Sequence, residues 1–172
     1  MRRTGWIRWV VLITLPLVVQ SHGLPQTSKA VEVRSLRYSE LAEMVTKHRG
    51  KVVVVDFWAT YCPPCVKELP NIVQMHKKHA AQGLVTITVS LDQVQNDPNV
   101  KLKVWQHLQK AEAHMPNVIL NEEFALVQKK LRIDGPPCLF VFNRQGKWVE
   151  FKEEKFRHDL IEQTVVQFLK EK

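Results

Sequence analysis

The sequence predicts an α/β protein whose sheet is largely parallel at its centre and carries an antiparallel hairpin at one edge. Short valine-rich runs alternate with stretches of helical spacing, which indicates strands and helices in turn. Near the C-terminus, two apolar runs are separated only by the turn Asn143–Gly146, which is typical of a hairpin. The 172 residues, 45% hydrophobic and 24% charged, suit one globular domain and exclude a disordered or multi-span membrane protein.

The elements of the first half follow from apolar spacing and from residues that begin or end helices. Four consecutive valines within Lys51–Trp58 indicate a strand buried on both faces. The helix at Cys62–His79 is expected to kink at Pro70. Ser39 is the predicted N-cap of an earlier helix that ends before Gly50. The predicted elements are an edge strand at Val31–Val33, a helix from Ser39 to Lys47, a strand at Lys51–Trp58, a helix at Cys62–His79 and a strand at Leu84–Leu91.

The second half continues the alternation and ends in the hairpin and a helix. Asn121 is the predicted cap of a helix that runs to Leu131. The predicted elements are a helix at Pro98–Ala113, a strand at Asn117–Leu120, the helix to Leu131, strands at Cys138–Phe142 and Trp148–Phe151, and an amphipathic helix at His158–Lys170.

Residues 1–23 have the pattern of a secretory signal. Three arginines precede the apolar run Val10–Val19, and the small residue Gly23 suits cleavage before Leu24. The apolar run is shorter than the ~20 residues of a membrane span, so a retained N-terminal anchor is the less favoured alternative. The prediction is an exported protein of the periplasm or cell envelope, with a linker at 24–30 and the domain at 31–172.

The basic charge does not point to nucleic acid. Three of the eight excess positive charges belong to leader arginines. No aromatic residues interleave with a basic run, as a platform for stacked bases would require. We therefore predict no nucleic-acid partner.

The most informative segment is Cys62-Pro63-Pro64-Cys65, at a predicted junction of strand and helix. Two cysteines three apart can be bridged within the first helical turn. Unpaired N–H groups and the helix dipole stabilise a thiolate at the helix start, which makes Cys62 the candidate nucleophile. Cys65 is then the candidate resolving thiol. The alternative is half of a zinc site, but only Cys138 remains as a cysteine and no histidine pair has matching spacing.

This pattern resembles the thioredoxin superfamily, and most closely its exported TlpA/ResA-like branch. Lys51–Pro70 is similar to that family's strand, active site and kinked helix, and Leu84–Leu131 to its central insertion. Gly135–Asn143 is similar to its cis-proline strand. The resemblance implies a thioredoxin fold: a mixed central sheet flanked by helices on both faces, with a central β-α insertion.

The resemblance also implies roles for individual residues. Pro137 matches the cis-proline that faces the dithiol and holds the substrate chain. Asp56 matches the buried acid that accepts a proton from the resolving cysteine; the alternative is a structural acid paired with a lysine. Trp58 matches the tryptophan packed beneath the active site. Asp92 falls near an acid that some members use.

Four departures from the family pattern bear on substrate binding and reactivity. Tyr61 replaces the usual tryptophan before the first cysteine. Pro63 and Pro64 remove two N–H donors from the helix start. Pro136, before the cis-proline position, offers a substrate chain only its C=O. Cys138 is either a buried free thiol or a third redox-active sulfur.

The leading hypothesis is a thiol–disulfide oxidoreductase that acts on exported proteins with disulfides or thiols. It requires no cofactor, and a membrane-bound thiol electron donor is the implied partner. The alternative is a periplasmic module that binds copper through Cys62, Cys65 and a histidine. Peroxide reduction is disfavoured, since the threonine-to-cysteine pattern that it needs is absent.

Overall fold

A computed structural model describes residues 30–94, 97–152 and 155–171. The predicted leader and all but the last residue of the predicted linker lie outside this range. Within it, no helix is both long and apolar enough to cross a membrane.

A six-stranded sheet forms the centre of the fold, in the order β1-β4-β3-β2-β5-β6. The four strands from β1 to β2 are parallel, and β5 and β6 add an antiparallel edge. The mixed sheet predicted from the sequence is therefore confirmed. The strands are β1 (Arg34–Leu36), β2 (Val52–Trp58), β3 (Leu84–Ser90), β4 (Asn117–Leu120), β5 (Cys138–Phe142) and β6 (Trp148–Lys152).

Helices cover both faces of the sheet, as expected. They are α1 (Tyr38–Lys47), α2 (Pro63–His79), α3 (Val100–Lys110), α4 (Phe124–Leu131) and α5 (His158–Lys170). Apolar residues of α2, α3 and α5 pack with Val52, Val54 and Trp58 of β2. Apolar residues of α1 and α4 pack with Val53, Val55 and Phe57 on the opposite face. All seven residues of β2 are buried, because helices cover it on both sides.

Several element boundaries differ from the predictions, and helix α3, at Val100–Lys110 rather than Pro98–Ala113, is shorter at both ends. The first strand is Arg34–Leu36 rather than Val31–Val33, since residues 34–36 are the ones that pair with Val118–Leu120. Instead of pairing as a strand, Val31 packs into the core.

Both predicted N-caps are wrong as well. Helix α1 begins one residue before Ser39, and the Glu40 carboxylate accepts the Arg37 N–H at 2.8 Å. The Asn121 N–H instead donates to the Leu36 carbonyl at 2.8 Å and extends the strand contact. Helix α4 therefore starts only at Phe124.

Candidate active site

Three segments of the chain meet at one end of the sheet. Strand β2 ends at Trp58, which is in register with Ser90 at the end of the parallel strand β3. Strand β5 is antiparallel to β2 and begins here, with Cys138 in register with Phe57. The segments 59–62, 91–92 and 135–137 are therefore neighbours, and they carry five of the residues that the sequence singles out.

Cys62 and Cys65 form a disulfide at the start of α2, with their Cα atoms 5.3 Å apart. Cys62 occupies the N-cap position, and its C=O accepts the Val66 N–H at 3.1 Å. Pro63 and Pro64 fill the first two helical positions, where a missing N–H costs the helix no hydrogen bond. The predicted bridge within one helical turn is thus present.

The side chains next to the disulfide differ sharply in exposure. Tyr61 is 64% exposed, whereas Cys62, Cys65 and the underlying Trp58 are buried. The Trp58 ring makes an edge-to-face contact with His107 of α3, with 6.1 Å between ring centroids. Tyr61 therefore exposes its ring beside the disulfide, whereas Trp58 belongs to the buried cluster that also contains both cysteines.

Asp92 anchors the turn that leads to the disulfide. Its buried carboxylate accepts hydrogen bonds from the Thr60 N–H at 2.9 Å, the Thr60 hydroxyl at 2.5 Å and the Ser90 hydroxyl at 2.7 Å. A carboxylate that receives three donors is well satisfied despite its burial. Asp92 therefore tethers Thr60, which lies two residues before Cys62.

Asp56 is buried in β2, on the face that packs against α2. Strand alternation puts its side chain on the same side as Val54 and Trp58. Burial, and secondarily the charge of Glu68, raises the pKa of Asp56 to about 7. Among the described residues, no ion pair joins Asp56 to a lysine. An acid with this pKa can accept a proton near neutral pH and release it again.

Glu68 is a charged residue near the site that the sequence alone did not single out. It lies on α2 one helical turn after Cys65, and its charge acts on Asp56. Its carboxylate oxygens contact Asn71 Nδ2 at 2.9 Å and His158 Nδ1 at 2.8 Å. The spacing of three residues from Cys65 is a local signal for Glu68. The contact with His158 has no local signal, because 90 positions separate the two residues.

The peptide bond between Pro136 and Pro137 is cis. Both prolines are half-buried and directly precede β5. The Pro136 carbonyl is the one hydrogen-bonding backbone group that this residue can offer, since proline has no N–H.

Cys138 is the one free cysteine of the described residues and is fully buried. Because it is in register with Phe57, its side chain lies on the face covered by α1 and α4, across the sheet from α2. Its Sγ donates to Glu150 Oε1 at 3.7 Å. Burial, together with the Glu150 carboxylate, raises the pKa of the Cys138 thiol to about 12. The structure therefore favours the buried free thiol over a third redox-active sulfur.

No group of three or more histidine, cysteine or acidic side chains suited to hold a metal occurs within residues 30–94, 97–152 and 155–171. The copper hypothesis needs a histidine beside Cys62 and Cys65. The described part of the chain supplies no such ligand group.

The sheet order, the helices on both faces and the dithiol at the start of α2 define a protein with a thioredoxin fold. The chain belongs to the thioredoxin-like family, whose pattern matches residues 50–148.

Curated relatives are named as oxidoreductases. The chain is 30% identical over 115 residues to the thiol-disulfide oxidoreductase ResA of Bacillus thuringiensis subsp. konkukian, covering 66% of this chain and 62% of the relative. It is 28% identical over 100 residues to the sporulation thiol-disulfide oxidoreductase A of Bacillus subtilis, covering 58% of each. The chain thus spans less than two thirds of the length of these relatives.

Solved structures show the same fold. The thioredoxin domain of a thiol-disulfide oxidoreductase from Bacteroides vulgatus matches with a TM-score of 0.59 and 25% identity, over 73% of this chain and 84% of that domain. A putative thiol:disulfide interchange protein DsbE from Chlorobium tepidum matches with a TM-score of 0.57 and 25% identity, over the same shares.

Proposed function

We propose that this protein is a thiol–disulfide oxidoreductase that exchanges disulfides with exported proteins through Cys62 and Cys65. The observation that carries the proposal is the bridged pair at a helix start with Asp56 buried behind it. The names of the curated relatives support the same chemistry.

In the reducing direction, the Cys62 thiolate attacks one sulfur of a client disulfide. A mixed disulfide forms and the other client sulfur leaves as a thiolate. Asp56 accepts the proton of the Cys65 thiol, and the Cys65 thiolate attacks Cys62 Sγ. The second client sulfur leaves, and the enzyme holds the Cys62–Cys65 disulfide. Two electrons pass to the client, and its two thiolates take up two protons from Asp56 and solvent.

Regeneration of the dithiol requires two electrons from an outside thiol donor. For an exported protein, we propose a membrane-bound thiol protein as that donor. We also retain the proposal that residues 1–23 direct export to the periplasm or cell envelope, with or without retention as an anchor.

We propose that the client chain binds across Tyr61, Pro136 and Pro137. Tyr61 offers an exposed ring beside the dithiol. The Pro136 carbonyl accepts one hydrogen bond from an extended client, and Pro137 lies beside the start of β5.

The test combines insulin reduction with equilibration of the dithiol against glutathione. We expect Cys62→Ser to abolish reduction and Cys65→Ser to accumulate mixed disulfides. Cys138→Ser is the matched control and should retain activity. Failure of the wild-type pair to open and close reversibly would refute the proposal. If the reduced protein instead binds Cu(I) through both cysteines without turnover, the copper-binding alternative gains support.

A further inference from the structure

A chain of charged side chains joins α2 to α5 beside the candidate site. His158 Nδ1 lies 2.8 Å from Glu68 Oε1, and His158 Nε2 lies 3.7 Å from Glu162 Oε2. Glu162 Oε1 lies 3.0 Å from His79 Nε2 and 2.9 Å from Lys78 Nζ. His158 therefore stands between two carboxylates that belong to different helices.

Side-chain exposure increases from Asp56 through Glu68 to His158. Asp56 is buried, the Glu68 side chain is 18% exposed and the His158 side chain is 34% exposed. Glu68 also lies one helical turn beyond Cys65. His158 is thus the solvent-facing partner of the charged residue that acts on Asp56.

We propose that His158 is a positioning residue of the dithiol site, which fixes Glu68 and, when protonated, makes negative charge at Asp56 and Cys62 easier to form. This inference rests on the proposed function, because it concerns the proton that Asp56 takes from Cys65. It adds a residue of α5 to a site built from β2 and α2.

The physical basis is the balance of charge around Asp56. Glu68 opposes ionisation of Asp56, and an imidazolium in contact with Glu68 offsets that effect. The charged groups around His158 are Glu68, Lys78 and His79 from α2, with Glu162 and the Arg157–Asp159 pair from α5 and its start.

The first test uses the unmodified protein and follows imidazole resonances by NMR as pH is varied. A reduced site with a thiolate at Cys62 carries negative charge that the disulfide lacks. Because coupling between two sites is reciprocal, the titration midpoint of His158 should be higher in the reduced protein, by roughly half a pH unit. His114 precedes β4 and lines a pocket together with His48, which lies before the start of β2; it is the internal control and should not shift. Equal midpoints for His158 in both redox states would overturn the inference.

The second test measures the pH profile of Cys62 alkylation in the reduced protein. His158→Leu should move the midpoint upward by roughly half a pH unit, since it removes the cation. His158→Gln keeps a donor without the charge and should also move the midpoint, whereas His158→Lys should bring it back towards the wild-type value. His114→Leu is the matched control. A profile unchanged in both His158→Leu and His158→Gln would contradict the inference even if the variants fold normally.

The two tests separate the inference from the function on which it rests. Exchange of the wild-type Cys62–Cys65 pair with glutathione is measured first. If there is no exchange, both the oxidoreductase proposal and the inference about His158 are refuted. If the pair exchanges but the titration midpoint of His158 is the same in both redox states, the oxidoreductase proposal stands and only the proposed role of His158 is refuted.

Discussion

Replacement of Asp56 by asparagine should change how stability depends on pH. The folded protein keeps the Asp56 proton up to a pKa of about 7, whereas the ordinary pKa of an aspartate carboxyl is 3.8. Between these pH values the folded state binds more protons than the unfolded chain. Its stability therefore falls as pH rises from about 4 to about 7, and the loss is complete above that range.

The size of this effect follows from the difference between the two pKa values. A shift of roughly three units corresponds to about 4 kcal/mol at pH 8, since one unit is worth about 1.4 kcal/mol. The amide side chain of the Asp56→Asn variant cannot ionise, so the variant does not lose this stability as the pH rises. The free energy of unfolding of Asp56→Asn, minus that of the wild type, should therefore be larger at pH 8 than at pH 4 by up to about 4 kcal/mol.

The assay is urea denaturation of the oxidised protein at several pH values between 4 and 8. Asp159→Asn is the control: Asp159 is exposed, and its pKa is lowered by the hydrogen bond from Arg157. Asp159 should be ionised in both the folded and the unfolded state above pH 5. The difference in free energy of unfolding between Asp159→Asn and the wild type should therefore be the same at pH 5 and pH 8. If Asp56→Asn shows the same stability difference from wild type at pH 4 and pH 8, the argument from burial is refuted.

Three further predictions concern the surroundings of the dithiol. Asp92→Ala leaves the donors of Thr60 and Ser90 without their acceptor and should lower the free energy of unfolding by about 2–4 kcal/mol in urea; a loss below about 0.5 kcal/mol would count against the tether. Cys138 should resist iodoacetamide at pH 8 in the folded protein and react after denaturation, as measured by mass spectrometry, because its pKa of about 12 leaves little thiolate. Rapid labelling of the native protein would contradict this. Pro136→Ala supplies a backbone N–H beside the cis-proline and should lower KM for an extended disulfide peptide about fivefold, as expected for one hydrogen bond of about 1 kcal/mol; an unchanged KM would show that clients do not pair with this segment.

Much of the fold could be predicted because its signals are local. The four valines within Val52–Trp58 and the apolar spacing of Val100, Val104 and Leu108 are short-range patterns. A strand and a helix form there as predicted, although the helix is shorter at both ends than Pro98–Ala113. The two misplaced caps are also instructive. Ser39 and Asn121 have suitable side chains, but tertiary contacts decide where helices start. The pairing of β1 with β4, which extends to the Asn121 N–H, is such a contact.

The site was predictable only in its local part. Cys62 and Cys65 are three residues apart, so their bridge follows from the spacing. The contact between Asp92 and Thr60 spans 32 positions, and the contact between Glu68 and His158 spans 90. Such pairs depend on how strand ends and helices meet. The face of the sheet on which Cys138 lies likewise follows from its register with Phe57, which the sequence does not contain as a pattern.

The position of Cys138 has a consequence for how this chain matures. Under oxidising conditions, the three thiols of the unfolded polypeptide allow three different disulfide pairings. Once the sheet has formed, it separates Cys138 on one face from Cys62 and Cys65 on the other. The fold thus prevents Cys138 from pairing with Cys62 or Cys65. A fully folded preparation should therefore contain only the Cys62–Cys65 disulfide.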